Sequence, residues 1–205
     1  MRGVDLRSNR HRGNIYAGVM DMIRTWYGAG LIAGLAVFLW GGLAHLVLGL
    51  GGESTFKQVP NEAQAAIAAH VKEAGLYIFP FTKDMNAMAK AIETQPYGLM
   101  VFTPAGVPMN MGARMGVQAV GDILACLLAA CLFTCALPSL TSFVSRVGFV
   151  MGLGVFSFLV SEVPYWNWYN FPTDFTAFAL VFKLTAWLVA GVVLASLLGS
   201  RTATA

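Results

Sequence analysis

Four long apolar segments constrain this chain more than any other feature of its sequence. A helix needs about 20 largely apolar residues to cross the hydrocarbon core of a bilayer. The segments that reach this length lie at about 26–50, 117–137, 143–163 and 173–198. Because lipid offers no hydrogen bonds to a bare backbone, each segment is predicted to be a membrane-spanning helix and not an open strand.

The composition agrees with a membrane protein. Hydrophobic residues make up 57% of the chain and charged residues 11%, whereas about 25% of a typical soluble domain is charged. This composition does not fit a soluble globular domain, a disordered chain or a small disulfide-stapled protein. The predicted fold class is therefore all-α and transmembrane, with a four-helix membrane bundle.

The net charge of +3 is concentrated at the N-terminus, where residues 1–25 carry five arginines and two aspartates. Positive segments beside a span stay in the cytoplasm, so residues 1–25 and 199–205 are predicted to be cytoplasmic tails. The alternative is that the arginines bind anionic lipid or nucleic acid. Since a basic flank is normal for a span, we expect a lipid bilayer and no nucleic acid as partner.

Residues 51–116, between the first and second spans, are predicted to form a small α/β cap outside the cytoplasm. The run from Pro60 to Glu62 indicates a helix start, Gly75 a helix stop, and Thr82 the cap of a second helix. The apolar runs at 76–79 and 99–103 are candidate strands. A core this small is too thin to be stable alone, so the cap is expected to rest on the bundle or on a partner.

Four ionisable residues fall within the spans and are expected in the outer half of the bundle: His45, Asp122, Glu162 and Lys183. Charges inside a membrane are expensive and commonly mark functional sites. In one interpretation Asp122 or Glu162 neutralises Lys183 and the network only locks the helices together. In the other, the four groups line an outward-facing pocket for a proton, an ion or a small molecule.

Small residues on the first span indicate a helix contact. Gly30, Gly34 and Gly41 share one face with His45, and Gly30-x3-Gly34 is a small-x3-small motif that lets two membrane helices approach closely. This face is predicted to meet another helix, which directs His45 into protein.

A second group of residues is aromatic and follows the third span: Tyr165, Trp166, Trp168 and Tyr169. Such rings favour the headgroup layer of a membrane, and an interfacial belt is the prediction. The alternatives are a ligand-stacking site or a platform for a sugar.

Cofactor chemistry has few candidates. Met109, Met111 and Met115 carry soft thioethers that suit Cu(I), although methionine is also flexible packing material. A bis-histidine haem is disfavoured because His45 is the one histidine within a span, and no zinc-binding spacing occurs. Hydrolase, phosphate-binding and dinucleotide motifs are absent. No cofactor is implied by a motif, and an enzyme is less favoured than a non-catalytic protein.

Several motifs resemble those of a group of small bacterial integral membrane proteins with four spans and no assigned function. The motifs are the segments at 40–45, 59–62, 75–80 and 163–172. The resemblance covers roughly residues 28–198 and implies a bacterial inner membrane. It implies no activity, cofactor or catalytic residue.

These observations predict an accessory or structural subunit of a larger bacterial membrane complex, with other membrane proteins as partners. The alternative is binding or translocation of a small molecule, an ion or Cu(I) at the outward-facing polar pocket.

Overall fold

The computed structural model describes residues 25–50 and 52–199 of the 205-residue chain. The predicted N-terminal tail, except Thr25, and the predicted C-terminal tail, except Gly199, lie outside the described residues. The helices and strands in chain order are α1 (Trp26–Leu46), α2 (Asn61–His70), β1 (Gly75–Phe79), α3 (Met85–Thr94), β2 (Gly98–Phe102), α4 (Met111–Ala136), α5 (Phe143–Tyr169) and α6 (Thr173–Leu198).

Four helices in the described part of the chain are long and apolar enough to cross a membrane, namely α1, α4, α5 and α6. They correspond to the four segments found in the sequence. The prediction of a helical, multi-pass membrane protein is therefore confirmed at this level of detail.

Two of these helices extend beyond the predicted spans. Helix α4 begins at Met111, six residues early, because the Asn110 side chain accepts a hydrogen bond from the Ala113 N–H at 3.0 Å and caps the helix. Helix α5 continues through Pro164 to Tyr169 and ends where Asn170 takes a left-handed conformation, with φ 53°. Hydropathy shows which part of a segment is apolar enough to lie in the hydrocarbon core, whereas caps determine where a helix begins and ends.

The bundle is most tightly packed at the end that holds the turn Leu137–Ser139, here called the turn end. Helix α1 packs against α4 and α6, and α6 packs against α5. Phe133, Val150 and Leu194 are fully buried there, and the rings of Phe133 and Phe149 lie 6.3 Å apart. By contrast, none of residues 111–125 of α4 is buried, so the bundle is looser at its opposite end.

The segment from 52 to 110 joins α1 to α4 and is here called the α/β segment. Its two strands are antiparallel, with Leu76 opposite Val101 and Ile78 opposite Leu99. Helix α2 ends at His70, five residues before the predicted stop at Gly75. No residue in the helices and strands of the α/β segment is buried. Two strands and two short helices enclose little volume.

Candidate functional site

A cavity of about 470 Å³ lies between α1, α4 and α6, in the looser half of the bundle. This volume is within the range of about 300–1,000 Å³ that is usual for small-molecule sites. Its wall is largely apolar and includes three aromatic residues, Phe38, Phe182 and Trp187. The polar side chains in the wall are those of His45, Gln118, Asp122 and Lys183.

The glycines of α1 explain why the cavity forms at one end of the helix. A Cβ atom on Gly30 would lie 2.9 Å from the Cα of Leu127, so the backbones of α1 and α4 touch near the turn end. Further along, a Cβ on Gly42 would have no heavy atom within 4 Å, and one on Gly41 would lie 3.9 Å from Cζ of Phe182. Gly30 and Gly34 therefore face α4, whereas Gly41 lies closest to α6.

The register of α1 and α4 determines how deep Asp122 lies. Gly34 meets Ile123, and the two helices are antiparallel, so Asp122 is level with about residue 35, near the middle of α1. His45 is about ten residues further along α1, or about 15 Å at 1.5 Å per residue. Asp122 therefore lies deeper than His45 and near the middle of the bundle, whereas all four ionisable residues were expected in its outer half. The physical reason is the early start of α4, which places Asp122 eleven residues into the helix.

Lys183 belongs to a neutral network between α5 and α6. Its Nζ lies 3.2 Å from Oε1 of Glu162 and donates a hydrogen bond of 2.9 Å to Oγ of Ser161. The Ser161 hydroxyl donates to the carbonyl oxygen of Ser157 at 2.6 Å. Of the two carboxylates that the sequence offered to Lys183, the structure pairs it with Glu162.

Asp122 has a different environment. Its Oδ1 accepts a hydrogen bond of 2.9 Å from Nε2 of Gln118, one turn earlier on α4. No basic side chain within residues 25–50 and 52–199 forms an ion pair with Asp122. The carboxylate is half-buried and faces the cavity. The ionisable groups of the cluster thus do not form one network: Lys183 pairs with Glu162, whereas Asp122 is hydrogen-bonded to Gln118.

His45 lies near the C-terminal end of α1. This end of the cavity is the one closer to the α/β segment. Its ring makes an edge-to-face contact with Phe182 of α6, with ring centroids 4.9 Å apart. The residue is nevertheless exposed, so the prediction that the glycine face of α1 directs His45 into protein is wrong. His45 therefore forms part of the cavity's rim.

The three methionines do not come together as one group at the cavity. Met111 and Met115 line it from α4, but Met109 precedes the helix and does not. Within the described ranges, no three His, Cys, Asp or Glu residues are placed to hold a metal ion. Cu(I) binding by the thioethers stays a prediction.

The four aromatic residues of the predicted belt form the last turns of α5 and are all exposed. Trp166 Nε1 donates a hydrogen bond of 3.1 Å to Oγ1 of Thr173, which ties α5 to the start of α6. The rings of Tyr165 and Tyr169 lie 5.7 Å apart. These residues are outside the cavity.

Several residues of the cavity were not among the predicted site residues, and three of them are Gln118, Phe38 and Phe182. Two of them had a usable signal in the sequence. Gln118 precedes Asp122 by four residues, the spacing at which two side chains meet on a helix. Phe38 precedes His45 by seven residues, two turns on the same face. Phe182 comes from a distant helix, and no local spacing identifies it.

The site thus combines an apolar, aromatic wall with a carboxylate that has no cationic partner in the described part of the chain. Comparison with protein-family models, with curated proteins and with solved structures finds no match for this chain, so what the cavity holds has to be inferred from its own residues.

Proposed function

We propose that this multi-pass membrane protein binds a small, largely apolar molecule in the cavity between α1, α4 and α6, without changing it chemically. The observation that carries the proposal is the cavity itself, with its volume of about 470 Å³ and its aromatic wall. Small-molecule sites are typically concave and mostly apolar, with a few polar groups that orient the ligand.

Binding is favoured over conduction by the packing at the turn end. Between α1, α4 and α6 that end is filled by small or fully buried side chains, among them Ala33, Phe133 and Leu194. A conducting pore would need a continuous wet or polar path between the two membrane surfaces. The cavity would instead exchange its ligand through the end near His45.

The proposed topology follows from charge. The arginines of residues 1–25 favour cytoplasmic tails, which places the turn end of the bundle towards the cytoplasm and the α/β segment outside it. The resemblance to small bacterial membrane proteins favours a bacterial inner membrane. In this arrangement the cavity opens on the outer side.

The test fills the cavity without disturbing the backbone. Because a Cβ on Gly42 meets nothing within 4 Å and Gly42 lines the cavity, Gly42→Leu should place its side chain inside it. Gly152→Leu is the matched control, since Gly152 also has open space and does not line the cavity. Binding of neopentylbenzene is measured in nanodiscs against empty nanodiscs. We expect saturable binding that Gly42→Leu abolishes and Gly152→Leu preserves. Binding that persists in Gly42→Leu would contradict the proposal.

A second candidate function, as an accessory subunit of a larger complex, is supported by the sheet of the α/β segment. Leu76, Ile78, Leu99 and Val101 share one face because they are cross-strand partners, and Leu76 and Val101 are 66% and 80% exposed. Contiguous exposed apolar surface commonly marks an interface. Extraction of native membranes in mild detergent tests this function. A partner that is retained by the wild type and lost in Leu76→Ser/Val101→Ser supports it, and a solitary monomer contradicts it.

A further inference from the structure

We infer that the ligand of the cavity is an organic cation, an ammonium group attached to an apolar body. This inference rests on the proposed function and concerns the charge of the ligand. The ammonium group would lie against Asp122, and the apolar body against the aromatic wall.

The first argument is the charge balance of the cavity. Lys183 is the lysine in the wall, and its charge is compensated by Glu162 at 3.2 Å. Asp122 receives a hydrogen bond from the amide of Gln118, which is neutral and does not offset a negative charge. When both carboxylates are ionised, the negative charge of Asp122 therefore has no paired cation among residues 25–50 and 52–199. An anionic ligand would be repelled by it, whereas a cation would be attracted strongly in a medium of low polarisability.

The second argument is the aromatic part of the wall. Phe38, Phe182 and Trp187 come from two helices, α1 and α6, and line the same cavity as Asp122. Aromatic faces attract cations through the ring quadrupole, and aromatic cages are a recognised way of binding quaternary ammonium groups. The rings also cover the apolar substituents of such a cation, because these substituents are poorly solvated by water.

The third argument distinguishes an organic cation from a metal ion. Ca²⁺ takes six to eight oxygen ligands, and Mg²⁺ requires an octahedral set of them. The cavity offers the Asp122 carboxylate and the Gln118 amide oxygen, and the rest of its wall is largely apolar. A weakly hydrated organic cation needs fewer polar partners than a metal ion does.

The depth of Asp122 gives the orientation and the approximate length of the ligand. The α1 residues that line the cavity run from Val37 to Leu46, a length of about 14 Å at 1.5 Å per residue. Because Asp122 is level with about residue 35, just beyond the deeper end of this stretch, the ammonium group would enter the cavity first. The apolar body would then extend towards His45.

The experiment uses two probes of nearly the same shape. Benzyltrimethylammonium is a cation, and neopentylbenzene is its neutral counterpart with carbon in place of nitrogen. Both are measured on the full chain in phosphatidylcholine nanodiscs. Asp122→Asn removes the charge and keeps the size of the side chain, and Glu93→Gln is the matched control on the exposed surface of α3. We expect Asp122→Asn to weaken binding of the cation by about tenfold or more and to change binding of the neutral probe by less than about twofold. Glu93→Gln should change the binding of neither probe.

Each other outcome has a distinct meaning. Equal weakening of both probes by Asp122→Asn would assign Asp122 a structural role and overturn the inference. Unchanged binding of both probes would also overturn it, because the charge would then not be recognised. If Gly42→Leu abolishes binding of neither probe, the cavity is not their binding site and the proposed function itself fails. Retained binding of neopentylbenzene by Asp122→Asn shows that the variant has kept its cavity.

Discussion

A Cβ atom placed on Gly34 would lie 2.5 Å from the Cα of Ile123, so the backbones of α1 and α4 are in direct contact at this point. Such an approach is possible only for a residue without a side chain. The contact fixes the register of the two helices. It thereby brings Asp122, the neighbour of Ile123, to the middle of the bundle.

Gly34→Ala should destabilise the protein because the added methyl group forces the two backbones apart. Overpacking of this kind costs about 1–3 kcal/mol. The measurement is the free energy of unfolding in mixed micelles with increasing dodecyl sulfate. Gly42→Ala is the control, since its methyl group enters open space and alanine favours the helix by up to about 1 kcal/mol. Equal effects of the two substitutions would contradict the proposed role of Gly34.

Lys183→Met should also destabilise the protein, because it leaves the Glu162 carboxylate without its cation between α5 and α6. Removing one partner of a buried ion pair costs about 3–5 kcal/mol, and the partial exposure of this pair favours the lower end. The same unfolding measurement applies.

The double variant Lys183→Met/Glu162→Gln is the control for the ion pair. It removes both charges, so most of the lost stability should return. If the double variant is as unstable as Lys183→Met alone, the loss is due to packing and not to the unpaired carboxylate.

Asn170 ends α5 in the left-handed region, at φ 53°. Glycine adopts this conformation without steric cost, whereas a β-branched residue is strongly disfavoured there. Asn170→Gly should therefore leave the thermal unfolding midpoint nearly unchanged. Asn170→Val should lower stability by about 1–2 kcal/mol or more. Similar midpoints for the two variants would show that the α5 C-cap does not constrain the turn to α6.

The proposed topology predicts which positions a membrane-impermeant maleimide reaches. Glu93→Cys in α3 and Ser139→Cys in the turn after α4 are both exposed sites. Each is made in a chain whose natural cysteines have been replaced by alanine. In intact spheroplasts we expect labelling of the cysteine at 93, and labelling of the one at 139 only after lysis. The reverse pattern would place the α/β segment in the cytoplasm.

Local sequence patterns were sufficient for much of the secondary structure. The strand candidates at 76–79 and 99–103 correspond closely to β1 and β2, and the span at 173–198 coincides with α6. Helix ends were less accurate, as at Met111 and Tyr169, because caps and not hydropathy determine them. The six-residue error at Met111 also shifted the expected depth of Asp122.

The sequence by itself determined that the chain forms four apolar helices with ionisable residues among them. Segment length and backbone hydrogen bonding in lipid leave no other arrangement for such residues. Only the tertiary structure decided which polar groups meet, since pairing depends on helix order, register and rotation. It pairs Lys183 of α6 with Glu162 of α5. It leaves Asp122 facing a cavity, because the glycines of α1 contact α4 at one end of the helix and face open space at the other.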